Sequence, residues 1–158
     1  LVPLSKEIAL TIFISKEDRY LLSDPLKSLM QNGPAKQLLE SFGAKDFSEP
    51  TDLIEVADFT TFEIAGLQLE SIAAPGHTKG SFMFTVNNEQ LISGDVLFAG
   101  SIGRTDLPTG SASQMRKTLK ERVLTLNDHL NVLPGHGQQT TIAHERRNNP
   151  YLQGEFLD

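Results

Sequence analysis

The sequence of 158 residues predicts an α/β domain built in layers. Three observations point there. Ile8 to Ile14 is a nearly continuous apolar run rich in β-branched residues, as in a strand buried on both faces. Further on, two pairs of strand-length segments are each joined by two residues suited to tight turns. Segments of helical period lie before and after them, so strands and helices occur in a mixed order.

Each element follows from local chemistry. After the first strand, Ser15-x-x-Asp18 starts a short helix reaching Leu22. Asp24-Pro25 starts another, with proline at the first helical position and Leu26, Leu29 and Met30 on one face. Gly33-Pro34 breaks it. Leu38, Leu39 and Phe42 mark a third helix capped by Gly43. Ala44 to Asp58 is acidic, contains Pro50 and reads as a surface connection. Strands are expected over Phe59–Ile64 and Leu67–Ile72, turning at Ala65-Gly66. A second hairpin joins Ser81–Val86 to Gln90–Ser93 through Asn87-Asn88, residues that tolerate positive φ. Ser111-x-x-Gln114 is a capping box ahead of Met115, Leu119, Val123 and Leu126 at helical spacing. Val132-Leu133 is a short buried strand, and Thr141 to Asn148 a last helix stopped by Pro150. One domain, residues 1–158, is expected.

Composition narrows the function. A net charge of −6 disfavours general nucleic-acid binding, which needs a basic face to replace counterions. No stretch approaches the roughly 20 apolar residues that span a bilayer, so neither nucleic acid nor membrane is an expected partner. Cysteine is absent, which removes disulfides and a thiolate nucleophile and suits a reducing, cytoplasmic setting. The chain opens on Leu1 rather than Met, which leaves open an upstream segment, with or without a signal peptide.

Three short motifs carry the chemistry. Pro75-Gly76-His77, Ser93-Gly94-Asp95 and Pro134-Gly135-His136-Gly137 each place a glycine and one metal-capable side chain next to an apolar run. Imidazole and carboxylate are the ligands a zinc-like ion accepts when cysteine is absent. The two oxygens of Asp95 suit it to bridge two ions, and glycine lets backbone approach such a site closely. Singly, each motif is more often a turn or a cap. Together and in this order, they point to a metal site.

With Ala74-Pro75-Gly76-His77-Thr78, Ser93-Gly94-Asp95-Val96-Leu97-Phe98 and Pro134-Gly135-His136-Gly137, the chain resembles the metallo-β-lactamase superfamily, and within it the glyoxalase II-like hydrolases. Gly103-Arg104-Thr105-Asp106-Leu107-Pro108 and Glu145-Arg146-Arg147-Asn148-Asn149-Pro150 resemble the same branch. The likeness is strong from Ala74 to Leu152 and weak before it. It implies an αββα sandwich with a dinuclear zinc site, iron or manganese being alternatives. His77 would bind one metal, His136 the other, and Asp95 would bridge them. The implied reaction is hydrolysis of a thioester, such as a hydroxyacylglutathione, by metal-bound hydroxide.

One departure qualifies this. The family motif His-x-His-x-Asp-His does not occur in these residues, whose four histidines are 77, 129, 136 and 144. The expectation is therefore a domain lacking its N-terminal strands, with weak or no metal binding and little hydrolysis by this chain alone. An unpaired sheet edge would then favour self-association. Arg104 and Asp106 are either an ion pair fixing the loop after Asp95 or a support or substrate contact around the metals. His129 reads as a loop residue and His144 as a solvated helix position. Arg146, Arg147 and Lys79 read as solvated charges, with attraction of an anionic substrate the lesser reading. Gly103-Arg104-Thr105-Asp106 also resembles the persulfide dioxygenases, which hold one iron. A pseudoenzyme or interaction module is the third reading.

Overall fold

The structure, a computed structural model, describes residues 11–29, 34–41 and 49–157. The chain divides into two compact units, Leu1–Val56 and Ala57–Asp158.

In the first unit, strand β1 (Ile12–Ser15) pairs in parallel with β2 (Leu53–Val56), Ile12 opposite Leu53 and Ser15 opposite Val56. The earlier part of the expected first strand, together with Met30, Gly33, Phe42 and Gly43, lies outside the described residues. Ser15 Oγ accepts the Asp18 N–H at 3.2 Å, which starts the 3₁₀ turn Arg19–Leu22. Asp24-Pro25 opens a second 3₁₀ turn, Pro25–Ser28. Helix α1 (Pro34–Ser41) has proline at its first position, so this residue begins a helix. One expectation is corrected. The acidic segment read as a connection contains β2, because Leu53-Ile54-Glu55-Val56 is apolar enough to pair with β1. Arg19 draws the acidic residues in, bonding Glu49 and, at 2.7 Å, Glu55. The hydrogen bond to Glu49, then that to Glu55, raises its already high pKa further.

The second unit is organised by strands β3 (Thr61–Ile64), β4 (Leu67–Ala73), β5 (Phe82–Val86), β6 (Gln90–Gly94), β9 (Asn131–Pro134) and β10 (Thr140–Thr141). They form one sheet in the order β10-β9-β6-β5-β4-β3. Neighbours from β3 to β6 are antiparallel, while β6 and β9 are parallel, with Leu91 opposite Val132. A separate hairpin, β7 (Leu97–Phe98) and β8 (Ser101–Ile102), follows β6. Both expected turns form with positive φ, at Ala65-Gly66 (52° and 77°) and Asn87-Asn88 (50° and 55°). The first strand of this unit starts later than expected. Phe59 adopts φ 54°, a turn conformation unusual for a bulky residue, and its ring lies 4.7 Å from the Arg122 guanidinium.

Helix α2 (Ala112–Thr118) is capped by Ser111 Oγ, which accepts the Gln114 N–H. It runs on as a wider π-type turn, Leu119–Val123. Helix α3 (Ile142–Asn148) is capped by Thr141 Oγ1, which accepts the His144 N–H at 3.1 Å. Ile72, Met83, Leu91 and Val132 on one face of the sheet meet Met115, Leu119, Val123 and Ile142 from these helical segments in a single core. Each such side chain contributes about 1.5–3 kcal/mol through burial, which fixes where the strand ends lie. No helix among the described residues is long and apolar enough to cross a membrane.

Candidate metal centre

β4, β6 and β9 run in the same direction, so their C-terminal ends share one edge of the sheet. The three chemical motifs follow those ends. After β4, Gly76 has φ 151°, and a Cβ there would lie 2.6 Å from the Met115 Cα, so only glycine lets the loop pass α2. Thr118 Oγ1 donates to the Pro75 carbonyl at 2.7 Å, and the Ser111 N–H donates to the Gly76 carbonyl at 2.9 Å. Two anchors on α2 and its cap thus aim His77. In β6, Ser93 shares the buried face of Leu91 two residues earlier, and its Oγ donates to the Leu97 carbonyl at 2.8 Å, while the register with β9 shifts between Ile92 and Gly94. After β9, the Gly135 N–H donates to the Gly94 carbonyl at 2.8 Å, which ties the His136 loop to the Asp95 loop. A Cβ on Gly135 would collide with Asp95 Oδ1, and one on Gly103 with the Asp95 carbonyl.

The result brings His77, Asp95 and His136 together. His77 Nε2 lies 3.5 Å from Asp95 Oδ2, and His136 Nε2 lies 4.0 Å from Asp95 Oδ1. Each imidazole thus faces a different oxygen of one carboxylate. The His77 side chain is 18% exposed and that of His136 is 71% exposed, so the first is held and the second lies open. His77 Nδ1 is 2.9 Å from the Arg104 carbonyl oxygen. A carbonyl only accepts, so Nδ1 carries a proton. In a neutral ring Nε2 then presents its lone pair toward Asp95. The His136 ring lies against Phe98, with centroids 4.3 Å apart and planes 31° apart. A cleft of about 590 Å³ opens above these groups, with Phe98, Ile102 and Arg104 among its walls.

This donor set fits divalent cations in chemistry, since imidazole nitrogen and carboxylate oxygen are both zinc-type ligands. It is incomplete in number. Among the described residues no three His, Asp or Glu side chains close on one point that could hold an ion. Each position has one imidazole and one shared oxygen, against the four ligands zinc takes.

Arg104 and Asp106 form a two-pronged ion pair, Nε to Oδ1 at 2.6 Å and Nη2 to Oδ2 at 2.7 Å. Both side chains are well exposed. The hydrogen bond from Arg104 holds the Asp106 carboxyl below the ordinary carboxylate range, and its return raises the Arg104 pKa. The contact of Arg104 with the centre runs through its backbone carbonyl. The other histidines lie apart. His129 Nε2 bonds the Asn88 carbonyl at 2.8 Å, at the far end of the sheet, and His144 neighbours Asn148 along α3.

Sequence reasoning missed two supports. Phe98 was read only as part of a motif, although it stacks on His136. Glu145 and Asn149, which figure in the sequence only as members of the Glu145–Pro150 motif, are both fully buried. The signal was present. Glu145 and Asn149 stand three and seven residues after Ile142, on the same helical face as that core residue.

The description of the metallo-beta-lactamase superfamily matches residues 4–136 of the chain. An uncharacterised protein of Mycobacterium tuberculosis is 37% identical over 149 residues, covering 90% of this chain and 64% of that protein. The hydroxyacylglutathione hydrolase GloC of Haemophilus influenzae is 38% identical over 94 residues, covering 59% of this chain and 44% of that enzyme. Among solved structures, the BLEG-1 B3 metallo-beta-lactamase superposes with a TM-score of 0.79 at 28% identity, covering 96% of this chain and 69% of that one. TTHA1623, in a di-iron-bound form, superposes with a TM-score of 0.69 at 29% identity, covering 96% of this chain and 69% of that one. The chain thus spans a little under two thirds of the length of the mycobacterial relative. The family match over most of the sequence, and the meeting of its three motifs at one edge of the sheet, agree: this chain belongs to the metallo-beta-lactamase superfamily.

Proposed function

We infer that the protein to which this chain belongs is a metal-dependent hydrolase of thioesters of the hydroxyacylglutathione type. The observation that carries this reading is the placement of His77 and His136 on opposite oxygens of Asp95. The likeness to GloC supports the substrate class, and the di-iron form of TTHA1623 supports a two-metal centre. Zinc is the expected occupant, with iron or manganese accepting the same ligands. His77, Asp95 and His136 would hold the ions, which would supply Lewis acidity toward a thioester carbonyl and lower the pKa of water from 15.7 to about 7.

The residues of the chain do the rest. The Arg104 carbonyl fixes the tautomer of His77 and turns Nε2 inward. The glycines at 103 and 135 let backbone close on Asp95. Phe98 and Ile102 present an apolar wall to the acyl group. A thiolate leaves without needing a strong general acid.

The test is metal analysis and thioester turnover of the full-length protein beside this chain. About two metals per full-length molecule and turnover of a hydroxyacylglutathione are expected, with both sharply reduced in the chain alone. Oxygen uptake with glutathione persulfide in place of hydrolysis would reassign the protein to the dioxygenases. A second reading has its own support, because each position offers only two donors among the described residues. A full-length protein that holds no metal would be a non-catalytic member of the family.

A further inference from the structure

We propose that Glu145 and Asn149 are positioning residues that hold the β7–β8 hairpin against the His136 loop and so set the width of the cleft. Both are fully buried. Glu145 is a carboxylate with no ion pair to Lys or Arg among the described residues. Its partners are neutral donors. Oε2 accepts the Gly100 N–H at 2.8 Å and the Asn149 Nδ2–H at 2.8 Å, and Oε1 accepts the Thr140 hydroxyl at 2.6 Å. Asn149 Nδ2 also reaches the Ser101 carbonyl at 3.0 Å and the Phe98 carbonyl at 3.4 Å, while its Oδ1 accepts the Tyr151 N–H at 3.0 Å.

These bonds divide between the two walls. Phe98, Gly100 and Ser101 belong to the hairpin that carries the ring stacked on His136. Thr140 begins β10, just downstream of the His136–Gln138 wall. The Glu145 carboxylate, reaching from α3, is the atom group common to both. A buried charge is a poor source of stability compared with an apolar side chain of the same size. What it provides is direction, since two oxygens fix three donors from three segments at once. The core beneath is apolar and complete without it. The role rests on the functional reading only for what fills the cleft.

The test is NMR of the full-length protein and its Glu145→Ala and Glu145→Gln variants, with turnover measured in parallel. In the wild type the Gly100 amide is protected from exchange, although it sits in a two-residue turn. The His136 ring protons are shifted by the current of the Phe98 ring. Glu145→Ala exposes the Gly100 amide, with exchange at least ~10-fold faster, and loses the His136 ring shift. Glu145→Gln restores both, because its amide oxygen accepts from Gly100 and Asn149 while the Thr140 hydroxyl reverses to accept from its NH₂. A general loss of stability would not move the His136 shift selectively or be rescued this way. An unprotected Gly100 amide in the wild type overturns the proposal, and this needs no variant to fold. So does a Glu145→Ala protein that keeps the His136 shift. These readouts require neither metal nor substrate. If they behave as expected and no thioester is turned over, the hydrolase reading falls and the positioning role stands. If turnover is found and they do not, the reverse holds.

Discussion

At one end of the six-stranded sheet, the chain turns at Ala65-Gly66 and Asn87-Asn88, whose four positive φ angles close it on itself. At the other end, β4, β6 and β9 run out into loops that hold His77, Asp95 and His136. Each of these turns closes through residues adjacent in sequence. The site end is made by contacts between loops far apart in sequence: Gly135 with Gly94, Gly103 with Asp95, Arg104 with His77. A turn that closes locally leaves nothing to aim. A loop anchored by distant partners can point a side chain at a chosen place, and that is where the metal-capable groups gather.

Substitutions break or sharpen this contrast, the largest first. In the full-length protein, Asp95→Asn is expected to cut thioester turnover and metal affinity more than about 100-fold, beyond the loss seen for supporting residues. His129→Ala, at the turn end, leaves both unchanged in the same assays. Gly103→Ala drives a Cβ into the Asp95 backbone and should cost about 1–3 kcal/mol in urea unfolding. Gly66→Ala has open space and only the left-handed conformation to bear, about 1 kcal/mol. Equal costs would erase the distinction between the ends. Phe98→Ala removes the ring against His136 and is expected to raise KM about 2- to 10-fold with the fold intact by circular dichroism.

The smallest effect concerns Asp106. Its folded pKa lies below the usual carboxylate value because of the Arg104 hydrogen bond. Any stabilisation it provides is present above the unfolded pKa and lost as pH falls through the lowered folded value. Arg104→Ala should raise the Asp106 midpoint, followed by carboxyl NMR, toward 3.8. The thermal midpoint at neutral pH should hardly move, because the pair is exposed.

Much of this unit was legible from short windows. The two turns, the Ser111 cap and the helical start at Thr141 all follow from residues a few positions apart. What escaped were elements too short or too dependent on neighbours. β7, β8 and β10 have two residues each, below any period that sequence can display. β2 lies in an acidic stretch and forms because β1 is there to pair with it. The wall that Phe98 builds against His136 and the bridge at Glu145 depend on loops meeting in space.

By itself, then, the sequence determined the longer strands and helices of the second unit, the tight turns, and three ligand-type side chains each seated beside a glycine, because φ preferences and hydrophobic period act over a few residues. Only the tertiary structure decided that His77 and His136 take different oxygens of Asp95, that Arg104 serves through its carbonyl, and that Glu145 is buried. Those outcomes depend on where the common core of sheet and helices sets the strand ends, and no short stretch of chain contains that information.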